Sequence, residues 1–470
     1  MGELVDSGNT AWLMTATAMV LLMAPGLAFF YGGMVRSGQV VAMLKMCFAC
    51  VACVSLLWWA MGYSLAFGPD AGGLGVIGTF EHAFLRGVGE SATTGDVPTV
   101  LHAAFQMSFA VVTTALISGS VAGRAKMTGW VAFVCVWTLL VYVPMAHWVF
   151  EPEGWVADQV GAVDFSGGTV VELGSGAAGL ALAVVAGKRA DFADRTIRPH
   201  NIPLVVIGAS LLWFGWFGFN AGAYLSGTGA TTVAFLNTQL AAGAAMAGWA
   251  LPRYVQARRV SLVDMCMGAI IGMVAMTPLS AGVSPVWATV IGFVAGLTGA
   301  YAVHWKYRLG VDDTLDVVGI HGWGGLFGMI AAGFAATGAV TGTKGLFYGG
   351  SWTLLGNQLV AVLLLGLYSF VMTGVIGMAV EKTVGLRRDE STPAEEEQPY
   401  AAPLVVHLRE LTDTLRGAGE PAPQGTATQT VRQLRVLLAR RAAPESESDS
   451  DLRTGSRASP GSTRRSAPDG

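Results

Sequence analysis

Eleven apolar runs, each close to the length that crosses a lipid bilayer, follow one another through most of this 470-residue chain. They fall at 12–31, 40–67, 97–121, 127–150, 165–186, 202–225, 232–254, 262–279, 285–305, 317–337 and 351–380, each separated by a polar or Gly/Pro-containing turn. A spanning helix needs about 20 mostly apolar residues, and in lipid only a helix pairs all its backbone groups within one segment. With 53% hydrophobic and 13% charged residues, the chain has too little polar surface for a soluble domain of this size. The expected fold class is an all-α membrane protein with eleven transmembrane helices. Its 63 glycines are spread through the apolar runs, as suits helices that approach one another on small residues.

Lys and Arg collect in cytoplasmic loops. With the N-terminus outside, the inner loops hold Arg36, Lys45, Arg124, Lys126, Lys188, Arg189, Arg195, Arg198, Arg253, Arg258, Arg259, Lys306 and Arg308, and the outer loops only Arg86 and Lys344. One span more or fewer would scramble this pattern, so the C-terminus is expected in the cytoplasm. The outer loops carry Asp70, Glu81, Glu90, Asp96, Glu151, Glu153, Asp158 and Asp164, which either concentrate cations mildly or are simply solvated. The first ten residues lack a basic start and a cleavage site, so the first span is expected to direct insertion.

Residues 1–384 read as the transmembrane domain. After Gly385 the composition turns to Pro, Glu, Ser and Arg, and 385–470 reads as a cytoplasmic, largely disordered tail. Two tail stretches put Leu404, Leu408, Leu411 and Leu415, and then Val431, Leu434 and Leu438, on single helical faces, the second beside Arg432, Arg435, Arg440 and Arg441. Such segments can lie on anionic lipid or form only transient helices.

Within the spans, Glu172 and His321 stand out, because an ionisable group at mid-bilayer costs roughly 2.5 to 3.5 kcal/mol even on lenient scales. Each is followed by glycines at the same offsets, Gly176 and Gly179 after the first, Gly325 and Gly328 after the second. The shared spacing, five helices apart, predicts two inverted five-helix repeats followed by a long eleventh helix, with the site between the halves. Glu172 and His321 are then partners across a pore, or else two unrelated, locally satisfied core residues. Phe105, Phe109, Phe150, Trp213, Trp216, Phe217 and Phe219 fall near the outer halves or centres of their spans, where ring faces can meet cations or merely fill an interface. The cysteines Cys47, Cys50, Cys53, Cys135 and Cys266 all lie in apolar stretches and are read as packing. No motif for nucleotide, metal or covalent catalysis is present, so neither an enzyme, a cofactor nor a nucleic-acid partner is expected.

The segments DFSGGTVVE (164–172), KRADFADRTIRPHNIP (188–203), GWFGFNAG (215–222) and DDTLDVVGIHGWGG (312–325) resemble the ammonium transporter family of bacteria, plants and fungi, as does the first span with Pro25, Gly26 and FFYGG ending at Gly33. The resemblance runs through the last span. It implies ammonium or ammonia uptake across the plasma membrane by homotrimers whose eleven-helix protomers each hold a pore. Carried over by motif, Phe109 and Phe219 are the pore gate, with Phe105 and Trp216 lining the pore nearby. Phe109, Phe150, Ala223 and Asp164 belong to the outer mouth where ammonium is recruited, and Asp316 helps hold the last pore helix. His321 is the second of the family's paired histidines.

Four positions depart from the family pattern. Glu172 replaces the first paired histidine, as in some fungal members; Ala223 replaces a serine; Phe150 replaces a tryptophan, although Trp148 is two residues away; and the tail lacks the family's ending. A PII-type signalling protein is the partner that the resemblance implies for the cytoplasmic face. Other readings are a membrane sensor that signals through its tail and a gas channel like the related Rhesus family.

Overall fold

The computed structural model describes residues 5–89, 92–194 and 199–388. Arg195, Arg198, Glu90 and the two amphipathic tail stretches lie outside the described residues.

Among the described residues the fold is helical apart from a short antiparallel pair, Thr93–Thr94 with Val97–Pro98, and three isolated β-bridges. Ten helices among the described residues are long and apolar enough to cross a membrane: α1 Ser7–Met34, α2 Ser37–Phe67, α3 Thr99–Val121, α4 Met127–Phe150, α5 Gly168–Ala186, α6 Ile202–Gly222, α8 Leu262–Leu279, α9 Pro285–Leu309, α10 Val318–Ala335 and α11 Trp352–Thr383. Between them α7, Gly229–Ala257, is 29 residues long, about 43 Å at the usual helical rise. Its polar residues include Asn237 and Thr238, which are buried in the bundle and hydrogen-bonded there through Asn237 Nδ2 and Thr238 Oγ1. Asn237 Nδ2 donates to the carbonyls of Ser280 (2.7 Å) and Val283 (2.9 Å), and Thr238 Oγ1 accepts from Asn220 Nδ2 at 3.0 Å.

Helix starts follow their capping chemistry. Asp6 accepts from Asn9 N at 2.7 Å and Asn201 from Leu204 N at 3.0 Å, while Ser261 and Asp264 form a reciprocal box at the head of α8. The glycines explain how closely the helices pack. A Cβ on Gly292 or Gly296 of α9 would lie 2.4 or 2.1 Å from the carbonyl oxygens of Ala241 or Ala245 on α7, so two small-xxx-small faces meet backbone to backbone.

One face of the bundle is tied together by buried charge. Arg124, 1% exposed, donates to the carbonyls of Ser120, Gly187 and Asp312. The Asp312 carboxylate in turn takes a two-pronged contact from Arg189, Nε at 2.8 Å and Nη2 at 2.6 Å, plus the Arg189 backbone N–H at 2.9 Å. The chain just past α11 joins this network. Leu386 is wholly buried, its carbonyl accepts from Lys126 N at 2.8 Å, and Glu381 caps Leu386 N and Arg387 N at 2.6 and 2.7 Å. The packed unit therefore continues at least four residues beyond position 384, where the composition changes.

Candidate functional site

Two helices begin as π-helical turns, α5 at Gly168–Leu173 and α10 at Val318–Gly322. Such turns are rare and favour functional sites; here they carry Glu172 and His321. Each turn starts from a buried aspartate. Asp164 accepts from the backbone N–H groups of Gly167 (3.0 Å), Gly168 (2.6 Å) and Thr169 (2.6 Å) and from Thr169 Oγ1 (2.5 Å). Asp313 accepts from Val318 N at 2.8 Å. Burial pushes both carboxyls up, Asp164 against the pull of its hydrogen bonds and Asp313 to about 6 against the opposing charge of Lys306.

The glycines noted in the sequence let the two turns meet. A Cβ on Gly176 would sit 2.2 Å from Gly322 Cα, and one on Gly325 would sit 2.6 Å from the Gly168 carbonyl oxygen and 2.8 Å from Glu172 Cβ. Only hydrogen fits at either place. The result is a hydrogen bond of 2.7 Å between His321 Nδ1 and Glu172 Oε2, with the two residues 5% and 1% exposed. Glu172 Oε1 is buried and has no hydrogen-bond partner.

Aromatic rings lead to this pair. Phe109 and Phe219 stack at 4.1 Å with their planes 14° apart. Phe105, one turn along α3, lies 4.9 Å from Phe109, and Phe150, the last residue of α4, meets Phe109 edge-on at 6.4 Å. On the other side of the stack Trp216 is 5.8 Å from Phe219 and lies nearly parallel to the His321 ring at 6.5 Å. Phe105, Phe109, Trp216 and Phe219 are buried, whereas Phe150 and Ala223, the residue that ends α6, are half-buried. The row thus runs from a partly open end at Phe150 to the buried Glu172 and His321.

Trp213 and Phe217 do not join it. Trp213 Nε1 donates to Gln239 Oε1 at 3.1 Å, and Phe217 stacks at 4.2 Å on Phe235, itself 42% exposed. Trp148 does not stand in at the Phe150 position either: its Nε1 donates to the Val76 carbonyl at 2.7 Å, and its ring packs against Trp155 and Tyr368. Asp164 reaches the row through backbone, since Gly167, in the loop that it holds, has φ +92° and a Cβ there would lie 3.2 Å from the Phe150 ring. Asp316 makes an ion pair with Lys306 Nζ at 2.7 Å, and its backbone carbonyl accepts from Ile320 N at 2.9 Å.

Asp313 is absent from the sequence reading, although a signal was there: it precedes His321 by the same eight residues that separate Asp164 from Glu172. The acidic segment after α4 is also less charged than its composition suggests, because burial and the nearby Glu153 push the Glu151 carboxyl up to about 7. Among the described residues, no three His, Cys, Asp or Glu side chains group in a way that could hold a metal ion.

Comparison with known proteins fits this arrangement. The residue pattern of the Ammonium Transporter Family matches residues 11–399. This chain belongs to the ammonium transporter family. An ammonium transporter of Mycobacterium tuberculosis is 41% identical to it over 423 residues, covering 83% of this chain and 89% of the relative. Among solved structures, Mep2 of Candida albicans superposes with a TM-score of 0.78 at 31% identity, covering 83% of this chain and 88% of that one. A protein described as a sensor Amt protein superposes with a TM-score of 0.75 at 27% identity, covering 83% and 96%. As an ammonium transporter family member the chain is a multi-pass membrane protein, and its named relatives are transporters, not enzymes.

Proposed function

We propose that this chain takes up ammonium across the plasma membrane through a pore of its own, recruiting the cation at the Phe150 end and passing its proton to Glu172 and His321. The observation that carries the reading is the unbroken row of rings ending on a buried, hydrogen-bonded carboxylate and imidazole. Moving a bare ammonium-sized ion into a medium of dielectric near 4 costs on the order of 20 kcal/mol, while each ring face returns about 0.5 to 2. Three ring contacts cannot carry the ion through. Phe109, Phe150 and Phe219 therefore select and hold it, and it sheds its proton to the Glu172 and His321 pair below the stack; neutral ammonia then crosses apolar walls at far lower cost while the pair releases the proton to the same side, so that one positive charge crosses per ammonium and the pair is reset.

The remaining architecture follows the same reading. In this reading the chain crosses eleven times, with α7 counted, and the Lys and Arg asymmetry of the loops favours an N-terminus outside and a C-terminus in the cytoplasm. α1–α5 and α6–α10 form inverted repeats, which agrees with the matched aspartate, π-turn and glycine positions in α5 and α10. Three copies assemble, and a PII-type protein docks at the cytoplasmic face, where residues 385–470 form the tail.

The direct test is the current from purified protein in liposomes on a sudden ammonium gradient. A current is expected. Internal alkalinisation without current would replace charge-coupled transport by a gas channel. The structural likeness to a sensor Amt protein favours one second reading, signalling through the tail. Ending the chain after Arg388, which keeps the Leu386 and Arg387 contacts, separates the two: a transporter retains uptake and a sensor loses its output.

The mouth gives a milder prediction. Restoring the usual side chains with Ala223→Ser and Phe150→Trp is expected to tighten half-saturation for ammonium by about two- to fivefold, the worth of one improved cation–π contact. Unchanged half-saturation would mean that the mouth compensates elsewhere.

A further inference from the structure

His147 lies three residues before Phe150 in α4 and is wholly buried. Both its ring nitrogens face oxygen: Nδ1 is 2.9 Å from the Ala66 carbonyl and Nε2 is 3.2 Å from Asp70 Oδ1. A peptide carbonyl only accepts, so Nδ1 carries a proton. The Asp70 carboxylate is itself an acceptor on both sides, taking Leu74 N on Oδ2 at 2.8 Å and Val76 N on Oδ1 at 3.1 Å, so Nε2 must donate as well. A neutral imidazole has one N–H, and two donors require the imidazolium. Ala66 stands in the last turn of α2, where unpaired carbonyls and the negative end of the helix dipole favour a cation.

The contact belongs to a set of three. Trp148 Nε1 donates to the Val76 carbonyl at 2.7 Å and Trp155 N to the Gly75 carbonyl at 3.1 Å. Loop 70–78 is thus fastened to the chain on both sides of Phe150. Titratable groups on the elements packed against this end of α4 are, among the described residues, Tyr63, Tyr142, Asp158, Glu172 and Tyr368, with Glu151 and Glu153 on the following segment. Among the described residues, Asp70 alone brings a carboxylate within hydrogen-bond reach of the ring.

We propose that His147, held as an imidazolium between Asp70 and the end of α2, is a positioning residue that clamps the outer loop 70–78 and thereby fixes Phe150 at the mouth. The role at the mouth rests on the transport reading above; the clamp does not. Three measurements test it. Nitrogen NMR of histidine-labelled protein in liposomes should show one imidazole protonated on both nitrogens that vanishes in His147→Gln; a singly protonated His147 overturns the charge assignment. Hydrogen exchange of the 70–78 amides should quicken in both Asp70→Asn and His147→Gln, and unchanged exchange in both overturns the clamp.

In ammonium-driven current, each variant should raise half-saturation about two- to fivefold, the share of one misplaced ring contact, with maximal current kept. The double variant should be no worse than either alone, since the two residues share one interaction. Unchanged half-saturation in both single variants overturns the positioning role. If the wild type carries no current, the transport reading fails and the clamp is decided by NMR and exchange.

Discussion

Glu172→Gln is expected to lower the ammonium-driven current by a factor of about a hundred or more, the lower bound for losing a positioned proton-transfer group. Glutamine keeps the shape and can still accept a hydrogen bond from His321 Nδ1, so the meeting of the two π-helical turns is preserved. It cannot take up a proton. In the wild type one carboxylate oxygen is engaged by His321 at 2.7 Å and the other is buried without a partner, which leaves an acceptor free at the end of the row of rings. The measurement is the liposome current with the amount of inserted protein matched. A current equal to wild type would remove Glu172 from the mechanism and leave His321 to act alone or not at all.

Asp312→Ala is expected to lower folding stability by about 3 kcal/mol, the lower end for leaving one member of a buried ion pair without its partner. Arg124 would stay buried with only neutral acceptors, three carbonyls and the Thr314 hydroxyl, and Arg189 would lose both prongs of its contact. Burial alone would raise the Asp312 carboxyl, but the Arg189 hydrogen bonds and the Arg124 charge outweigh it and hold it below the usual carboxylate range. A carboxyl depressed on folding stabilises above its unfolded value, about 4, and loses that contribution as pH falls through the folded value. The wild type should therefore lose this part of its stability in acid, while Asp312→Asn should lack it at neutral pH as well. Thermal unfolding in detergent across pH reads both effects. A neutral-pH midpoint that does not move in Asp312→Ala would show that the neutral acceptors alone satisfy Arg124.

Much of this was legible in the chain because the bilayer makes polar residues conspicuous. Glu172 and His321 were visible as charges where none belongs, and their glycines as matched offsets. The aromatic row was legible only in part. Trp213 and Phe217 are four residues apart and share one helical face, whereas Trp216 and Phe219 share another about 100° away, so helical periodicity separates them where a simple cluster does not. Asp313 was within reach of the same offset argument. The contact between Asp70 and His147 spans 77 residues and the π-helical turns depend on hydrogen-bond register; neither leaves a local pattern. α7 carries buried Asn237 and Thr238 that are hydrogen-bonded within the bundle, contacts that a hydropathy pattern alone cannot register.

The stacked rings of Phe109 and Phe219 have a consequence for the resting cell. At 4.1 Å between centroids the faces are in van der Waals contact and no water molecule fits between them, so a continuous water file cannot thread this point. Protons hop along such files far faster than any solute moves. On the transport reading proposed above, the closed aromatic pair insulates the membrane, and a cell carrying many idle copies keeps its proton gradient.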